Sequence, residues 1–407
     1  MSRLLIIGYV WPEPNSSAAG ARMMQLIKFF RERNYKITYA TSARRSENMA
    51  DLEALGVTSL EIQPNNDEFD VIVQELDPQI VLFDRFMMEE QFGWRIDKFC
   101  PDALKILDTE DLHSLRKVRE TILKSGQEFD DLYLDADITK REAAAIYRCD
   151  ISLIISEFEM NLLVEKLKIP EHILFYLPFT LETVSSENNS YTERRDFISI
   201  GNFLHEPNWR AVLNLKENIW PLLRKIVPDA RLHIYGAYPS QKVWNLENKA
   251  ERFLVHGRAE NAQKVMSDAR VCLAPIQFGA GLKGKLAEAM ACGTPSVTTS
   301  IGSEGMAGDL EWNGYIEDDI TQFVESAKIL YTNEQLWNKK SEQGSKILKE
   351  RFDQDFHQAR FDRKLSMTLK QLPQHRKENF TGLMMKHHLQ RSTYFMSRFI
   401  QIKNSIN

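Results

Sequence analysis

Short apolar runs rich in β-branched residues recur along the first half of the chain, and segments with helical spacing of apolar residues separate them. The predicted strands lie at residues 3–10, 36–41, 79–84, 104–107, 151–156 and 174–179. Continuous apolar runs of this length are typical of strands buried on both faces of a sheet. Their alternation with helices, among them 23–30 and 138–148, predicts a parallel, doubly wound α/β sheet.

The second half repeats this pattern, with predicted strands at residues 197–201, 232–236, 253–257, 271–276 and 296–299. A polar segment without apolar periodicity, 182–195, lies between the halves and is typical of a linker. A chain of 407 residues is long enough for two domains with separate cores. We therefore predict two Rossmann-like domains, 1–185 and 196–352, joined by a linker at 186–195.

Composition and charge exclude several classes of protein. A net charge of −5 and a sequence pI near 6.1 give no reason to expect a nucleic-acid partner. The 4 cysteines lack CxxC spacing and lie in apolar or helical contexts, which predicts buried thiols in a reducing compartment and no metal site. The apolar run at 4–10 is too short for a signal-peptide core with a cleavage site, or for a membrane span. We expect a cytoplasmic protein.

The most informative segment is 270–300, which predicts a strand, a glycine loop, a helix and a second strand in succession. Gly279-Ala280-Gly281 ends the first strand, and Gly293 follows the helix where a left-handed C-terminal cap belongs. Lys283 and Lys285 stand in the first turn, where the positive end of the helix dipole disfavours cations. Flexible glycines, free N–H groups and two ammonium groups favour an anion site, most simply for a diphosphate. The alternative is a solvated Lys/Glu face behind an ordinary turn.

This segment resembles the nucleotide-sugar motif of the retaining GT-B glycosyltransferases of family 4. In the subgroup that it resembles, a Gly-rich loop and two basic residues precede Glu-Ala-Met-Ala-x-Gly-x-Pro, which here runs from Glu288 to Pro295. The resemblance implies that Lys283 and Lys285 hold the donor diphosphate and that Glu288 binds the ribose. Many relatives carry a further glutamate where this chain has Ala280. Backbone N–H groups of the loop, at Gly279, Ala280 and Gly281, are then implied to make part of the contacts to the donor sugar.

The resemblance assigns further donor-side residues to loops that follow other strands of the second half. Asn208 closes the loop after the first of these strands, Gly257 and Arg258 lie by the base, and Glu304 lies near the sugar. Ordinary left-handed turns are an alternative for the glycine, and helix capping is an alternative for Glu304. The resemblance also implies that a helix within 353–372 crosses back onto the first domain.

Charged side chains follow two predicted strands of the first half. Asp84 and Arg85 end one strand, and the segment 108–116, Asp-Thr-Glu-Asp-Leu-His-Ser-Leu-Arg, ends the next. Carboxylates and a histidine beyond the ends of parallel strands suit contacts to a polar substrate. Helix capping by Thr109 or Asp111 is the alternative for the carboxylate-rich end.

The same resemblance extends to these positions, because Asp-x-x-Asp-Leu-His-x-Leu-Arg recurs in the subgroup. It implies that four residues lie at the reaction centre and the acceptor: Asp108, Asp111, His113 and Arg116. The loop at 11–20 is implied to border the acceptor and the donor phosphates, with Gly20 and Arg22 at the matching positions. Asp84 and Arg85 belong to the same acceptor side. A plain βα connection is the alternative for this loop.

The resemblance implies a retaining glycosyltransferase that moves a sugar from a nucleotide-diphosphate donor to a glycan, lipid-linked or protein acceptor. No cofactor is expected. Asp135-Ala136-Asp137 matches the Asp-x-Asp signature of metal-dependent glycosyltransferases, but it follows no buried strand and precedes a predicted helix. We therefore interpret Asp137 as a helix N-cap and expect catalysis without a divalent metal. The other functions considered are a nucleotide-sugar epimerase and a non-catalytic two-domain ligand-binding protein.

The tail at 373–407 lies beyond the resemblance, which ends near residue 370. The tail contains several basic residues and a single acidic one, Glu378. Its apolar residues Phe395, Phe399, Ile402 and Ile406 recur at helical spacing. The pattern predicts a basic amphipathic helix. It either packs on the protein or a partner, or makes peripheral contact with the inner face of the membrane.

Overall fold

The computed structural model describes residues 2–180 and 189–406, without the side chains of 388–391 and 404–406. The part of the predicted linker at 186–188 lies outside the described residues, as does Ile406 as an apolar position of the tail. Two parallel sheets, each flanked by helices, account for most of the chain, which confirms the predicted α/β class.

The first sheet has seven strands in the order β3-β2-β1-β4-β5-β6-β7. Their bounds are Arg3–Gly8 (β1), Lys36–Thr41 (β2), Thr58–Glu61 (β3), Ile80–Asp84 (β4), Leu104–Asp108 (β5), Ile151–Ile154 (β6) and Leu174–Tyr176 (β7). Successive residues of β1 point to opposite faces, so Leu4 and Ile6 join one core while Leu5 and Ile7 join the other. Helices cover both faces, and this explains why the strands are continuous apolar runs.

The helices of this half are α1 to α7: Ala18–Glu32, Glu68–Leu76, Phe86–Phe99, His113–Ser125, Phe129–Asp135, Asp137–Arg148 and Glu157–Glu165. A short 3-10 helix, Glu171–Ile173, precedes β7. Ser17 caps α1 by accepting a hydrogen bond from the Gly20 N–H. This cap fixes where the loop after β1 turns into the helix.

The second sheet has six strands in the order β10-β9-β8-β11-β12-β13. They are Arg195–Ile200 (β8), Leu232–Tyr235 (β9), Phe253–Gly257 (β10), Ala269–Ala274 (β11), Ser296–Thr298 (β12) and Gly314–Ile316 (β13). The helices α8 to α15 are Glu206–Asn214, Trp220–Ile226, Gln241–Trp244, Ala262–Asp268, Gly284–Ala291, Ser300–Ser303, Ile320–Thr332 and Glu334–Arg351. A π-helical segment, Leu215–Ile219, joins the first two of them.

Both sheets reverse their strand order at one point, between β1 and β4 in the first and between β8 and β11 in the second. At such a switch point, loops leave in opposite directions and open a crevice at the carboxyl ends of the strands. The loops after these four strands are therefore where ligands are expected, and the residues predicted for the site lie in or near them.

The C-terminal helices return to the first sheet. In α16, Gln354–Lys370, the ring of Phe361 lies 4.8 Å from that of Phe29 and joins the core of the first sheet. Two further helices follow, α17 at Leu372–Glu378 and α18 at Phe380–Ile406. The crossover that the resemblance implied is thus present.

The tail packs on the first domain. Arg376 forms an ion pair of 2.8 Å with Asp150, and Arg398 forms one of 2.7 Å with Asp67. Two residues of the predicted apolar row are largely exposed, Phe395 at 66% and Phe399 at 64%. No helix among the described residues is long and apolar enough to cross a membrane.

Three local predictions were wrong or incomplete. The edge strands β3 and β13 were not predicted, and neither were α4 and α5 in the charged stretch after residue 112. Asp137 is the first residue of α6 rather than its N-cap, a position held by Ala136. Its side chain makes no capping hydrogen bond and is 96% exposed.

Candidate active site

The loop between β11 and α12 forms one wall of the cleft. It leaves the strand at Ala274 and reaches the helix through Gly279 and Gly281, which both have positive φ, at 155° and 63°. A Cβ on Gly281 would lie 2.8 Å from Asp111 Cβ of the first domain. Glycine is needed there because the backbone conformation and the close approach both exclude a side chain. The helix ends at Gly293, whose φ of 62° matches the predicted left-handed cap.

Two lysines of this segment, the buried Lys283 and the half-buried Lys285, make no ion pair to any described carboxylate. Lys283 is the N-cap of α12, and its Nζ donates to the carbonyl oxygens of Gly281, at 2.6 Å, and Ala280, at 3.3 Å. Lys285 Nζ donates to Asn208 Oδ1 at 2.7 Å. Burial lowers the pKa of each lysine to about 8. Both ammonium groups therefore gain much from a nearby anion.

The N-termini of two helices meet beside these lysines. A Cβ on Gly284, the first residue of α12, would lie 2.9 Å from Cβ of Ala18, the first residue of α1. Both helix ends carry partial positive charge and unpaired N–H groups. Since like dipole ends repel each other, their meeting point favours a ligand with two or more negative charges.

The remaining donor-side predictions have different surroundings. Glu288 is half-buried on α12, its pKa is raised by burial, and it makes no hydrogen bond to a described residue. Gly257 has a φ of 70° and packs against Trp244, while Arg258 is exposed. Glu304 forms a bidentate ion pair with Arg119 of the first domain, in which Nη1 donates to Oε1 at 2.9 Å and Nη2 donates to Oε2 at 2.7 Å. Glu304 is the C-terminal cap residue of α13, and the next described helix begins only at Ile320, so its side chain does not cap a following helix.

The first domain contributes a histidine and a carboxylate to the opposite wall. Asp111 forms an ion pair with Arg116, and its Oδ1 lies 3.6 Å from His113 Nε2. Burial lowers the pKa of His113 to about 4, so the imidazole is neutral at pH 7. Although burial raises the pKa of Asp111, Arg116 and His113 outweigh it and bring the pKa to about 2.

Helix capping does not explain these residues. The start of α4 is capped from another helix, because Glu142 accepts the N–H groups of His113 at 2.9 Å and Ser114 at 3.0 Å. Asp111 makes no side-chain cap, and Thr109 Oγ1 donates to the carbonyl of Leu153. The side chains of Asp111 and His113 are therefore available to the cleft.

Asp108 and Arg22 form a buried pair beneath the cleft. Arg22 Nε lies 2.9 and 3.1 Å from the two carboxylate oxygens, and its Nη1 donates to the carbonyl of Leu177. Both side chains are at most 2% exposed. Gly20 and Arg22 lie in the first turns of α1 rather than in the loop before it, and the Gly20 backbone packs against that of Glu13.

Two further carboxyl groups, those of Asp84 and Glu110, lie where β1, β4 and β5 end. Asp84 Oδ2 accepts the Tyr9 N–H at 3.0 Å, and the Arg85 guanidinium lies 4.9 Å from the Tyr9 ring centre. Arg85 and Glu110 both have positive φ, at 74° and 61°. Asp84 Oδ1 and Glu110 Oε1 are buried and accept no hydrogen bond from a described residue. Burial raises the pKa of both carboxyls. Asp84 Oδ1 also lies 3.6 Å from Arg85 Nε in an ion pair, whereas Glu110 Oε1 has no hydrogen-bond partner among the described residues. A strained backbone beside such an oxygen is typical of a substrate-binding site.

Two residues of the first domain contact the donor loop and were not predicted. Glu159 of α7 accepts a hydrogen bond of 2.8 Å from the Gly281 N–H, and Arg119 of α4 donates to the Gly279 carbonyl at 2.9 Å. Neither stands in a recognisable motif. Their partners lie 122 and 160 residues further along the chain, so no local pattern could have indicated them.

The Asp-x-Asp sequence lies on helix ends. Asp135 is the last residue of α5, and Asp137 is the first of α6. Both side chains are exposed, and no group of three potential metal ligands occurs among the described residues. This Asp-x-Asp therefore does not lie at the end of a buried strand.

Comparisons with known proteins support this arrangement. Residues 194–333 match the model of the family described as Glycosyl transferases group 1. No curated protein matches the sequence. Among solved structures, a mutant of S. aureus TarM in complex with fondaparinux, alpha-GlcNAc-glycerol and UDP has a TM-score of 0.69 at 10% identity. That match covers 89% of this chain and 99% of TarM.

Two further structures show the same fold. Sucrose-phosphate synthase from Thermosynechococcus elongatus has a TM-score of 0.66 at 13% identity, covering 91% of this chain and 100% of its own. HepE of Anabaena, in complex with UDP and glucose, has a TM-score of 0.66 at 13% identity, covering 90% and 100%. The protein therefore has the GT-B fold, and its residues 194–333 carry the sequence pattern of the group 1 glycosyltransferases.

Proposed function

We propose that the protein is a glycosyltransferase that moves a sugar from a nucleoside diphosphate donor to an acceptor hydroxyl. The observation that carries this proposal is the pair of lysines without ion-pair partners, Lys283 and Lys285, beside two facing helix N-termini. Four sources of positive potential at one point suit a diphosphate. The family match and the UDP in two of the similar structures support the same class of donor.

The donor side would stabilise the leaving group. As the bond between the sugar and the diphosphate breaks, negative charge grows on the phosphate oxygens. Lys283, Lys285 and the N–H groups of α12 are already placed to receive that charge, so little reorganisation is needed during reaction. We propose that these groups do the work that Mg²⁺ does in metal-dependent enzymes.

The acceptor side suits a group that bears hydroxyls. Glu110 Oε1, which has no hydrogen-bond partner among the described residues, and Asp84 can accept the hydrogen bonds that sugar hydroxyls donate. Neutral His113 can donate to or accept from a hydroxyl at the reaction centre beside Asp111. We therefore propose a glycan acceptor, free or carried on lipid or protein, and retention at the anomeric carbon as in the resembling family.

Incubation with a panel of UDP-sugars and GDP-sugars, with and without a mixture of methyl glycosides, tests the function. Release of the nucleoside diphosphate together with a new glycoside shows transfer, and the coupling constant of its anomeric proton shows retention or inversion. An altered sugar still attached to the nucleotide would identify an epimerase. Binding without any conversion would identify a ligand-binding protein.

We also propose that the tail contacts the inner face of the membrane. Phe395, Met396 and Phe399 are each at least 60% exposed on one side of α18, and the exposed Lys377 and Lys403 lie on the same tail. Apolar rings next to basic side chains suit a surface of anionic lipid. Deletion of the whole tail is a poor test, because it would also remove the ion pair of Arg376 with Asp150.

A double substitution, Phe395→Ser with Phe399→Ser, tests this contact without disturbing the docked face. We expect the wild type to sediment with phosphatidylglycerol vesicles and the double variant to stay in the supernatant. The Phe356→Ser variant is the matched control, since Phe356 is 57% exposed on α16 outside the tail. Equal sedimentation of all three proteins would contradict the proposal.

A further inference from the structure

Glu159 is a fully buried carboxyl between the two domains. It lies on α7 of the first domain and has 0% exposure. Its Oε1 accepts two backbone hydrogen bonds, from the Leu112 N–H at 2.9 Å and from the Gly281 N–H at 2.8 Å. One donor belongs to the loop that carries Asp111 and His113, and the other belongs to the glycine loop of the donor side. A single oxygen atom therefore joins the two walls of the cleft.

The surroundings allow few other arrangements of these loops. Gly281 has a φ of 63°, and its Cα faces Asp111 so closely that a Cβ would lie 2.8 Å from that residue's Cβ. Arg119, one turn into α4, binds the Gly279 carbonyl and the Glu304 carboxylate of the second domain. Two side chains of the first domain thus fix the donor loop from both sides of Ala280.

The second oxygen of Glu159 makes no hydrogen bond to a described residue, although it is buried. Burial raises the pKa of this carboxyl to about 8, so most of it is protonated at pH 7. A neutral carboxyl that only accepts through Oε1 can be replaced by the amide of glutamine, whose oxygen accepts two hydrogen bonds. This gives a substitution that keeps the proposed contact and another, to alanine, that removes it.

We propose that Glu159 is a positioning residue that holds the glycine loop of the donor site in register with the Asp111–His113 loop when the cleft is closed. The inference rests on the proposed transfer reaction. Nucleotide binding itself stays with Lys283, Lys285 and α12. Glu159 makes no side-chain hydrogen bond with these two lysines, and its charge acts on Lys283 only to the extent that the carboxyl is ionised. Loss of Glu159 should therefore slow transfer without removing the nucleotide site.

Hydrogen exchange of the full-length protein tests the contact independently of activity. In Glu159→Ala, the peptides that contain Gly281 and Leu112 should each exchange about tenfold faster, as expected when a buried hydrogen bond is lost. Peptides from β1 and β8 should keep their wild-type rates, which excludes global unfolding. Glu159→Gln should restore protection in both loops. Unchanged exchange in either loop of the alanine variant, or no restoration by glutamine, would overturn the proposal.

Kinetics with the nucleotide-sugar that the wild type uses provide the second measurement. We expect kcat to fall about tenfold or more in Glu159→Ala, while the affinity for UDP or GDP by calorimetry changes less than about threefold. Glu157→Gln is the matched control. Glu157 lies two residues before Glu159 on α7 and forms an ion pair with Arg351 of the second domain that is more exposed than the contacts of Glu159. An equal loss of kcat in the control, or an unchanged kcat in the alanine variant, would overturn the inference. Inactivity of the wild type would reject the proposed function but leave the exchange measurement to decide on the contact.

Discussion

The two domains have the same strand order, but the side chains that follow their central strands differ in chemical character. Both sheets are parallel, and both reverse their strand order beside the cleft. In the first domain, the ends of β4 and β5 carry Asp84, Glu110 and Asp111. In the second, Asn208 at the start of α8 accepts a hydrogen bond from Lys285 of α12, and Lys283 donates only to carbonyl oxygens. The shared fold thus supplies two equivalent crevices, and the side chains make one suited to an anion and the other to hydroxyl groups.

Removal of a lysine should have the largest effect on this contrast. We expect Lys283→Ala to weaken binding of UDP or GDP by about 1.5–3 kcal/mol, the usual range for a hydrogen bond to a charged group. Isothermal calorimetry measures the change. Lys264→Ala is the control, since Lys264 is an exposed lysine paired with Asp268 on α11. Unaltered affinity in a folded Lys283→Ala protein would refute the anion site.

The pH dependence of nucleotide binding should show whether Lys283 and Lys285 bind the diphosphate in their charged form. Burial depresses the pKa of Lys283 and Lys285 to about 8 in the free protein, whereas the bound diphosphate requires charged ammonium groups. Binding must therefore take up protons above pH 8, and affinity should fall as pH rises, by roughly tenfold per lysine between pH 7 and 9. Calorimetry in buffers of different ionisation enthalpy would reveal this uptake. Affinity that is constant to pH 9 would contradict binding of the ligand by two lysines of lowered pKa.

A substitution on the first-domain wall of the cleft should leave the affinity for the nucleotide unchanged. We expect Glu110→Gln to lower the rate of transfer by about tenfold, because the amide nitrogen replaces an oxygen that can accept a hydrogen bond from a substrate hydroxyl group. UDP affinity should stay within about twofold, since Glu110 lies outside the lysine site. Glu165→Gln, on the exposed end of α7, is the control. If Glu110→Gln weakened nucleotide binding instead, the division of labour between the two walls would be wrong.

The smallest expected effect concerns metal. Asp135→Ala combined with Asp137→Ala should leave transfer unchanged, and activity should persist in excess EDTA, because the lysines and helix N-termini already neutralise the diphosphate. Assays with and without chelator on both proteins measure this. If EDTA abolished activity and Mn²⁺ or Mg²⁺ restored it, transfer would require a divalent cation in addition to the lysines.

The sequence predicted the central strands well because each is buried on both faces. The strands β1, β4 and β5 are continuous apolar runs, and their ends were placed within a few residues. The edge strands β3 and β13 are short and partly exposed, so they have no apolar run to detect. The helix α4 buries only Ser114, Leu115 and Val118, too few for a clear apolar stripe.

The candidate site was predictable only where its residues lie close together in sequence. Lys283, Lys285 and Glu288 share one helix, and Asp111, His113 and Arg116 share one turn. Glu159 and Arg119 depend on contacts between domains, which no local pattern encodes. Asp108 and Arg22 were assigned to the same side of the cleft, but only the structure shows that they bind each other below its surface.

The close approach of Gly284 to Ala18 has a consequence for the timing of the proposed reaction. The two helix ends lie too close together for a nucleoside diphosphate to pass between them, so entry or release on this side requires them to separate. Each turnover then includes an opening and a closing of the cleft besides the making of the new glycosidic bond. Such domain motions take microseconds to milliseconds. If bond formation is faster than this motion, product escape sets the turnover number, and the rate falls as the viscosity of the solvent rises.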